Sequence, residues 1–276
     1  MTRHAPLWGI FGRPYLDLST VLDLSGLDAL DAEIARGLAQ VEARYTGGTL
    51  KWMGVVAPWA LDGYPDAMQV IEELPDAELA TLIALADDPG ALSIADRASL
   101  RFGDETAHPF TRAQERWLSC RHGVYFPWKA CYHLLENERW EDKHSGDGKG
   151  FGAEARAVFP GVVRFLEALP FAEIGRAVIF GLEPNDHAPP HRDSEPGAAL
   201  SVAQSISICP RGDKRFYLQN DPRDEPLVVD ARAYWFNDMD YHGVLADPHF
   251  RYSLRIDGTF APGFVEMLQE RAARGR

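Results

Sequence analysis

Cysteine is scarce in this chain: Cys120, Cys131 and Cys209 are the only three among 276 residues. Three thiols do not make a disulfide framework, so the disulfide-stapled secreted class is excluded and a reducing, cytoplasmic setting is expected. Long apolar runs are missing too. No stretch approaches the roughly 18 residues that cross a bilayer. The N-terminal MTRHAPLWGIFGRPYLDLS has neither an uninterrupted apolar segment nor a small-residue cleavage site, so no membrane association and no secretory signal are expected. Positive charge is in deficit, with 28 Lys and Arg against 41 Asp and Glu, a formal net charge of −13. Phosphate backbones are bound by clustered Lys and Arg, so nucleic acid is not an expected partner. The one basic run, Arg271 to Arg276, reads as the solvated end of a terminal helix.

The regular elements change in texture along the chain. In SGLDALDAEIARGLAQVEARYTGG, Leu27, Leu30, Ile34, Leu38 and Val41 recur at helical spacing, with Ser25 as expected N-cap and Gly47 beyond the end. PDAELATLIALADDPG reads as a helix bounded by Pro75 and by Pro89-Gly90. Thr111 to Gln114 reads as a capping box, and Pro160 opens a helix that stops at Pro170. LKWMGVVAPW has the look of a strand. HSGDGKGFG, residues 144–152, reads as a mobile loop; its spacing is wrong for a phosphate-binding P-loop. After residue 173 short strand-like runs follow one another without helices: IGRAVIFGL, the approach to His191, ALSVAQSISI, KRFYLQ, PLVVD, ARAYWFN, HGVLA and FRYSLRID, with PRGDK as an expected hairpin turn. A helix over 262–274 closes the chain. The expectation is an α+β protein. Residues 1–110 form a mainly helical region. Residues 111–276 form a domain with a double-stranded β-helix (jelly-roll, cupin-like) core, with the N-terminal helices packed on it and a C-terminal helix.

Three ligand-type residues stand out in the β-rich part. His191 and Asp193 lie in PPHRDSEP, and His242 follows 51 residues later at the start of a strand. A His-x-acid pair alone is weak, since about one is expected by chance in a chain with this many histidines and acids. The context adds weight: strands of a jelly roll bring such residues together across its mouth. Two neutral imidazoles and a carboxylate suit Fe(II) and leave three coordination positions open. A 2-oxo acid can fill two of these and dioxygen the third. In FRYSLRID, Arg251, Ser253 and Arg255 share one strand face, opposite Tyr252, Leu254 and Ile256. Two arginines on a buried face suggest a bound anion, because guanidinium pairs bidentately with carboxylate; the alternative is pairing with acids on a solvated face. Gln204 sits among Leu200, Val202, Ile206 and Ile208, where its amide wants a partner, either a cosubstrate carboxylate or a backbone group.

His-x-Asp, a distal His, and an Arg nine residues after it together resemble the Fe(II)/2-oxoglutarate-dependent dioxygenases. Arg251-Tyr-Ser253 looks like their Arg-x-Ser element. HGVLADPHFRYSLRID is similar to the aspartyl/asparaginyl β-hydroxylase-like branch, although mammalian-type members of that branch carry glycine where this chain has Asp193. The resemblance spans roughly residues 173–260. It implies His191, Asp193 and His242 as iron ligands, Arg251 with Ser253 as the grip on 2-oxoglutarate and Gln204 as a second polar contact; Arg255 is expected as a further cosubstrate contact from its place on the same strand face. It implies O2-dependent hydroxylation of an unactivated C–H bond, with 2-oxoglutarate converted to succinate and carbon dioxide. Related halogenases keep a small residue in place of the carboxylate, so Asp193 favours hydroxylation. The substrate implied is a small molecule or peptide, an amino acid or an amino-acid residue. The alternative is a non-catalytic cupin-like protein that binds metal or a small anion.

Other features carry less. Cys120-Arg-His122 and Cys131-Tyr-His133 do not match zinc-finger spacing and lie among aromatics of a core. Trp117, Trp128, Trp140 and Trp235 read as core. His187 reads as a loop histidine near the entrance, and Glu183, Asp186 and Glu195 as loop acids flanking the site.

Overall fold

The computed structural model describes residues 7–41, 55–56, 67–96, 110–125, 128–135, 142–194 and 202–274. Gly47, most of LKWMGVVAPW, Trp140, Glu195 and Leu200 lie outside these residues. In chain order the elements are β1 (Tyr15–Asp17), α1 (Leu27–Leu38), β2 (Val55–Val56), α2 (Ala67–Glu72), α3 (Asp76–Ala84), α4 (Arg112–His122), β3 (Val124–Tyr125) and β4 (Trp128–His133). They continue with α5 (Ala153–Val158), α6 (Pro160–Glu167), β5 (Phe171–Leu182), β6 (Ala188–His191), β7 (Ser205–Ile208), β8 (Phe216–Gln219), β9 (Leu227–Val228), β10 (Ala233–Phe236), β11 (Tyr241–Val244), β12 (Arg251–Phe260) and α7 (Phe264–Arg274). The chain forms two compact units, one of residues 1–43, 130–137 and 142–276, the other of 44–129 and 138–141. The expected boundary at 110 falls inside the second unit.

Each helix start shows what local chemistry decides. Thr111 caps α4 with the full reciprocal box: its hydroxyl accepts from Gln114 N, and Gln114 Oε1 accepts from Thr111 N. Pro75 precedes α3 and Pro160 opens α6, where a missing N–H costs nothing. The N-cap of α1 is Gly26 rather than Ser25, because Ser25 turns back to hydrogen-bond Asp23. In the second unit, Leu79, Leu82 and Leu118 of α3 and α4 close a small apolar cluster with Val70, Ile71 and Val124.

In the first unit the pairs β1–β10, β10–β7, β7–β12, β12–β5, β6–β11, β11–β8 and β8–β9 are antiparallel. A six-stranded sheet runs β1-β10-β7-β12-β5-β4 and a four-stranded sheet runs β6-β11-β8-β9. PRGDK is therefore a crossover from β7 in one sheet to β8 in the other, not a hairpin turn. One face of the six-stranded sheet carries Ile206, Ile208, Tyr252, Leu254 and Ile256, which pack with Leu27 and Ile34 of α1 and Val162 and Leu166 of α6. The opposite face meets the four-stranded sheet through rings: Phe216 of β8 lies 5.3 Å from Tyr234 and 4.7 Å from Phe236 of β10. The odd polar face of FRYSLRID is this inter-sheet face.

The 144–152 loop is tied down, contrary to the mobile reading. Lys149 Nζ donates to the carbonyls of Ser145 and Gly175, and Gly146 N donates to Glu173. Among the described residues no helix is long and apolar enough to cross a membrane.

Candidate metal centre

The strand register assembles the ligands. His191 at the end of β6 stands directly opposite His242 of β11, with ring centroids 4.3 Å apart. Side-chain alternation sends Asp193 to the same side as His191. Asp193 Oδ1 is 3.6 Å from His191 Nε2 and 3.6 Å from His242 Nε2. The three ligand atoms all lie within 4.8 Å of one another. Among the described residues this is the one such group of histidines, cysteines and carboxylates. Gly243 beside His242 is dictated by close approach: a Cβ there would collide with the Ala188 carbonyl and the Tyr217 hydroxyl.

The surroundings prepare the ligands. His242 is buried, and its Nδ1 is 2.9 Å from the Asp240 carbonyl. A carbonyl only accepts, so Nδ1 donates to it, and Nε2 is the ring atom left to face the other two ligands. The Asp193 and Ser194 N–H groups donate to the Asp238 carbonyl, and Ser194 Oγ donates to the Asp238 carboxylate, which pins the two ligand-bearing turns together. Asp240 in turn accepts from the N–H groups of Trp8 and Gly9, and Asn237 donates to the Gly9 carbonyl. Asp193 keeps 40% of its side chain accessible, although protein atoms crowd its carboxylate. That crowding alone raises its pKa. The charge and hydrogen bond of His242, and the charges of His191 and Arg255, outweigh it and hold the group well below the usual carboxylate range. Burial raises the pKa of Asp240.

The other expected site residues scatter. Arg251 is fully buried, and its Nη atoms donate to the carbonyls of Glu183, Asp247, His249, Asp186 and Leu245. Its Nη donors are thus spent on loop backbone. Ser253 accepts a 2.7 Å bond from Lys214 Nζ. Gln204 lies by strand parity with Ile206 and Ile208 on the helix-covered face, and its side-chain oxygen accepts from Phe260 N. It satisfies a backbone group, the second of its two expected uses. Arg255 alone of these four borders the ligand group. Its guanidinium lies 5.2 Å over the Phe236 ring, which itself packs 4.9 Å from His242. Burial, the largest single influence, lowers its pKa, but the charges of Asp257 first and then of Asp193 and Asp238 prevail and raise it.

Sequence reasoning passed over Lys214, Ser207, Asp238 and Asp240. Asp238 and Asp240 had a signal in NDMDYH, an acid-rich turn just before a ligand histidine. Lys214 had none, since its role depends on the crossover. His187 is exposed and outside the ligand group, and the carbonyls of Glu183 and Asp186 hold Arg251. Cys120 is exposed, Cys209 is buried with its thiol pushed up to about 11 by burial, and His122 contacts Glu78. Trp235 is core, donating to the Ala203 carbonyl. A cavity of about 750 Å³ lies by the 146–151 loop and the start of β5, and none of His191, Asp193 and His242 lines it.

No family model and no curated relative matches the chain. Among solved structures, it is similar to an oxidoreductase of the 2OG-Fe(II) oxygenase family from Burkholderia pseudomallei. Identity is 14%, over 48% of this chain and 68% of that one, with a TM-score of 0.30. A prolyl-4-hydroxylase from Pseudomonas putida matches at 13% identity over 38% of this chain and 58% of that one, TM-score 0.24. A prolyl hydroxylase from Trichoplax adhaerens, in complex with a hypoxia inducible factor oxygen degradation domain peptide fragment, matches at 12% identity over 50% and 74%, TM-score 0.27. The functional reading rests on the site geometry rather than on these likenesses.

Proposed function

We propose that the protein is an Fe(II)- and 2-oxoglutarate-dependent oxygenase that hydroxylates an unactivated C–H bond, with its two sheets forming a double-stranded β-helix. The observation that supports it is the His191, Asp193 and His242 group, with His242 Nε2 left to coordinate by the Nδ1 contact to Asp240. Two imidazoles and one carboxylate fit Fe(II) and leave a face open for the cosubstrate and O2. When bound, iron with 2-oxoglutarate and O2 supplies the oxidising power for C–H hydroxylation, giving succinate and carbon dioxide. The chain's own part is positional. The β6–β11 register sets the two imidazoles, the Asp238 turn sets Asp193, and Phe216 and Phe236 wall the His242 side with apolar rings. By the family resemblance the substrate is an amino acid, free, carrier-bound or within a peptide; the scarcity of cysteine supports work in a reducing cytoplasm.

A second reading is a cupin-like protein of the same fold that binds metal or a small anion without turnover. One observation favours it: Arg251 spends its Nη donors on loop carbonyls.

The test is an anaerobic titration of the apoprotein with Fe(II) and 2-oxoglutarate, read by the visible charge-transfer band of a chelated 2-oxo acid and followed by succinate release on admitting O2. A band that needs both additions and vanishes in His242→Ala supports the oxygenase. Metal binding with a band but no succinate, across a panel of amino acids and peptides, favours the second reading. An iron-loaded protein with no band overturns the cosubstrate assignment.

A further inference from the structure

The turn over residues 237–240 carries the contacts of two metal ligands at once. Its Asp238 carbonyl accepts from Asp193 N at 3.1 Å, and its Asp240 carbonyl lies 2.9 Å from His242 Nδ1. The groups that hold this turn come from the other end of the chain. Asp240 is fully buried, and each of its carboxylate oxygens accepts one backbone N–H, from Trp8 at 2.7 Å and from Gly9 at 2.8 Å. Among the described residues no other hydrogen bond reaches this carboxylate. Asn237, also buried, donates to the Gly9 carbonyl at 2.9 Å.

The segment that supplies these groups has little freedom to do otherwise. Ile10 and Arg13 close it into a tight turn with paired backbone bonds of 2.8 and 2.9 Å. Gly9 sits at φ 57°, and a Cβ there would meet the Arg13 carbonyl oxygen at 2.1 Å. Phe11 sits at φ 52°, which a side-chain-bearing residue keeps only where its surroundings hold it. Here Ile10 is buried, the Phe11 ring meets Trp235 edge-on at 6.2 Å, and Arg13 Nη2 donates to the Ala272 carbonyl.

A buried carboxylate stripped of its donors is costly and turns toward water. The Asp240 carbonyl would turn with it, and His242 would lose the contact that aims Nε2. Outer partners of a ligand histidine change metal affinity by about 10- to 100-fold. We propose that the N-terminal segment 8–13 is a positioning element of the metal centre, acting on His242 through Asp240, and that bound metal in turn fastens this segment. The two effects are linked: whatever factor docking adds to metal affinity, metal adds to docking. The proposal rests on the metal-binding part of the reading above.

The experiment uses the full-length protein and Mn(II) alone, with binding read from loss of the free-ion electron paramagnetic resonance signal. Hydrogen exchange over 7–13 is followed with and without Mn(II), and saturating metal should slow it. Trp8→Pro deletes the N–H that bonds Asp240, whereas Trp8→Ala keeps it and removes only an exposed indole. Trp8→Pro should weaken Mn(II) binding by about tenfold or more, and Trp8→Ala should leave it near native. Gly9→Ala, which disrupts the turn itself, should weaken binding at least as much, and it answers the question if the proline variant fails to fold. Leu27→Ala, a core change on the helix-covered face, should lower the melting temperature without changing the Mn(II) constant. That separates positioning from general loss of stability. The proposal is overturned if Mn(II) leaves exchange over 7–13 unchanged, or if Trp8→Pro and Gly9→Ala both keep the native affinity. It is also overturned if Trp8→Ala or Leu27→Ala weakens binding as much as Trp8→Pro does. A native protein that takes up no Mn(II) overturns the metal reading itself, and this failure is recognised before any variant is made.

Discussion

Arg251 and Arg255 lie four residues apart on one face of β12, yet the two guanidinium groups meet different surroundings. At the strand's start, the loops after β5 and after β11 converge. They leave backbone carbonyls without strand partners, and Arg251 supplies the donors. Buried carbonyls need such partners, so this end is committed to stability. Two pleat repeats further on, Arg255 lies over the Phe236 ring and beside Asp257 rather than on loop backbone, and part of its side chain stays accessible. Residue type and strand phase are the same at both positions; the neighbouring segments surround one with loop carbonyls and the other with an aromatic ring and a buried carboxylate.

The comparison can be broken at the carboxylate beside Arg255. Asp257 is bonded by both Arg176 and Arg255 in a fully buried position. Asp257→Asn removes the carboxylate that both arginines bond and leaves two buried cations, so a loss of about 3–5 kcal/mol in unfolding free energy is expected by denaturant titration. Burial works against ionisation of Asp257, but Arg176 and Arg255 prevail and hold its pKa below the usual range. A depressed folded pKa gives stabilisation that is complete above the unfolded value of about 4 and fades as pH falls through the folded one. Asp257→Asn should therefore flatten the acid side of the stability profile, checked by melts at stepped pH.

Arg251→Met sharpens the other end. It strands several loop carbonyls, and a loss of about 3 kcal/mol is expected in the same titration. Hydrogen exchange should show faster opening at 183–187 and 245–249. An unchanged melt would show that Arg251 does not hold these loops.

Gln204→Leu is expected to cost least, about 1 kcal/mol, by removing the acceptor for Phe260 N. Its cosubstrate affinity should match the native value. A weakened charge-transfer titration would instead place Gln204 in the site.

The ligand pattern was legible because coordination chemistry constrains residue type: few reasons other than a metal bring His191, Asp193 and His242 onto facing strands. The strands from β5 to β12 were legible from alternation and turn chemistry, and α4 from its capping box. Ser25 misled because a serine can bond its own turn as easily as a helix end, and here Asp23 was nearer. PRGDK misled because a Gly-containing turn reads the same whether its strands pair with each other or pass to different sheets.

Local sequence thus determined the elements, the polar face of β12 and the three candidate ligands, since each depends on periodicity or donor type within a few residues. Tertiary structure decided which arginine meets loop carbonyls, where Gln204 turns and what holds Asp193. Those outcomes depend on carbonyls, rings and carboxylates contributed by segments distant in the chain, and the spacing within β12 does not encode them.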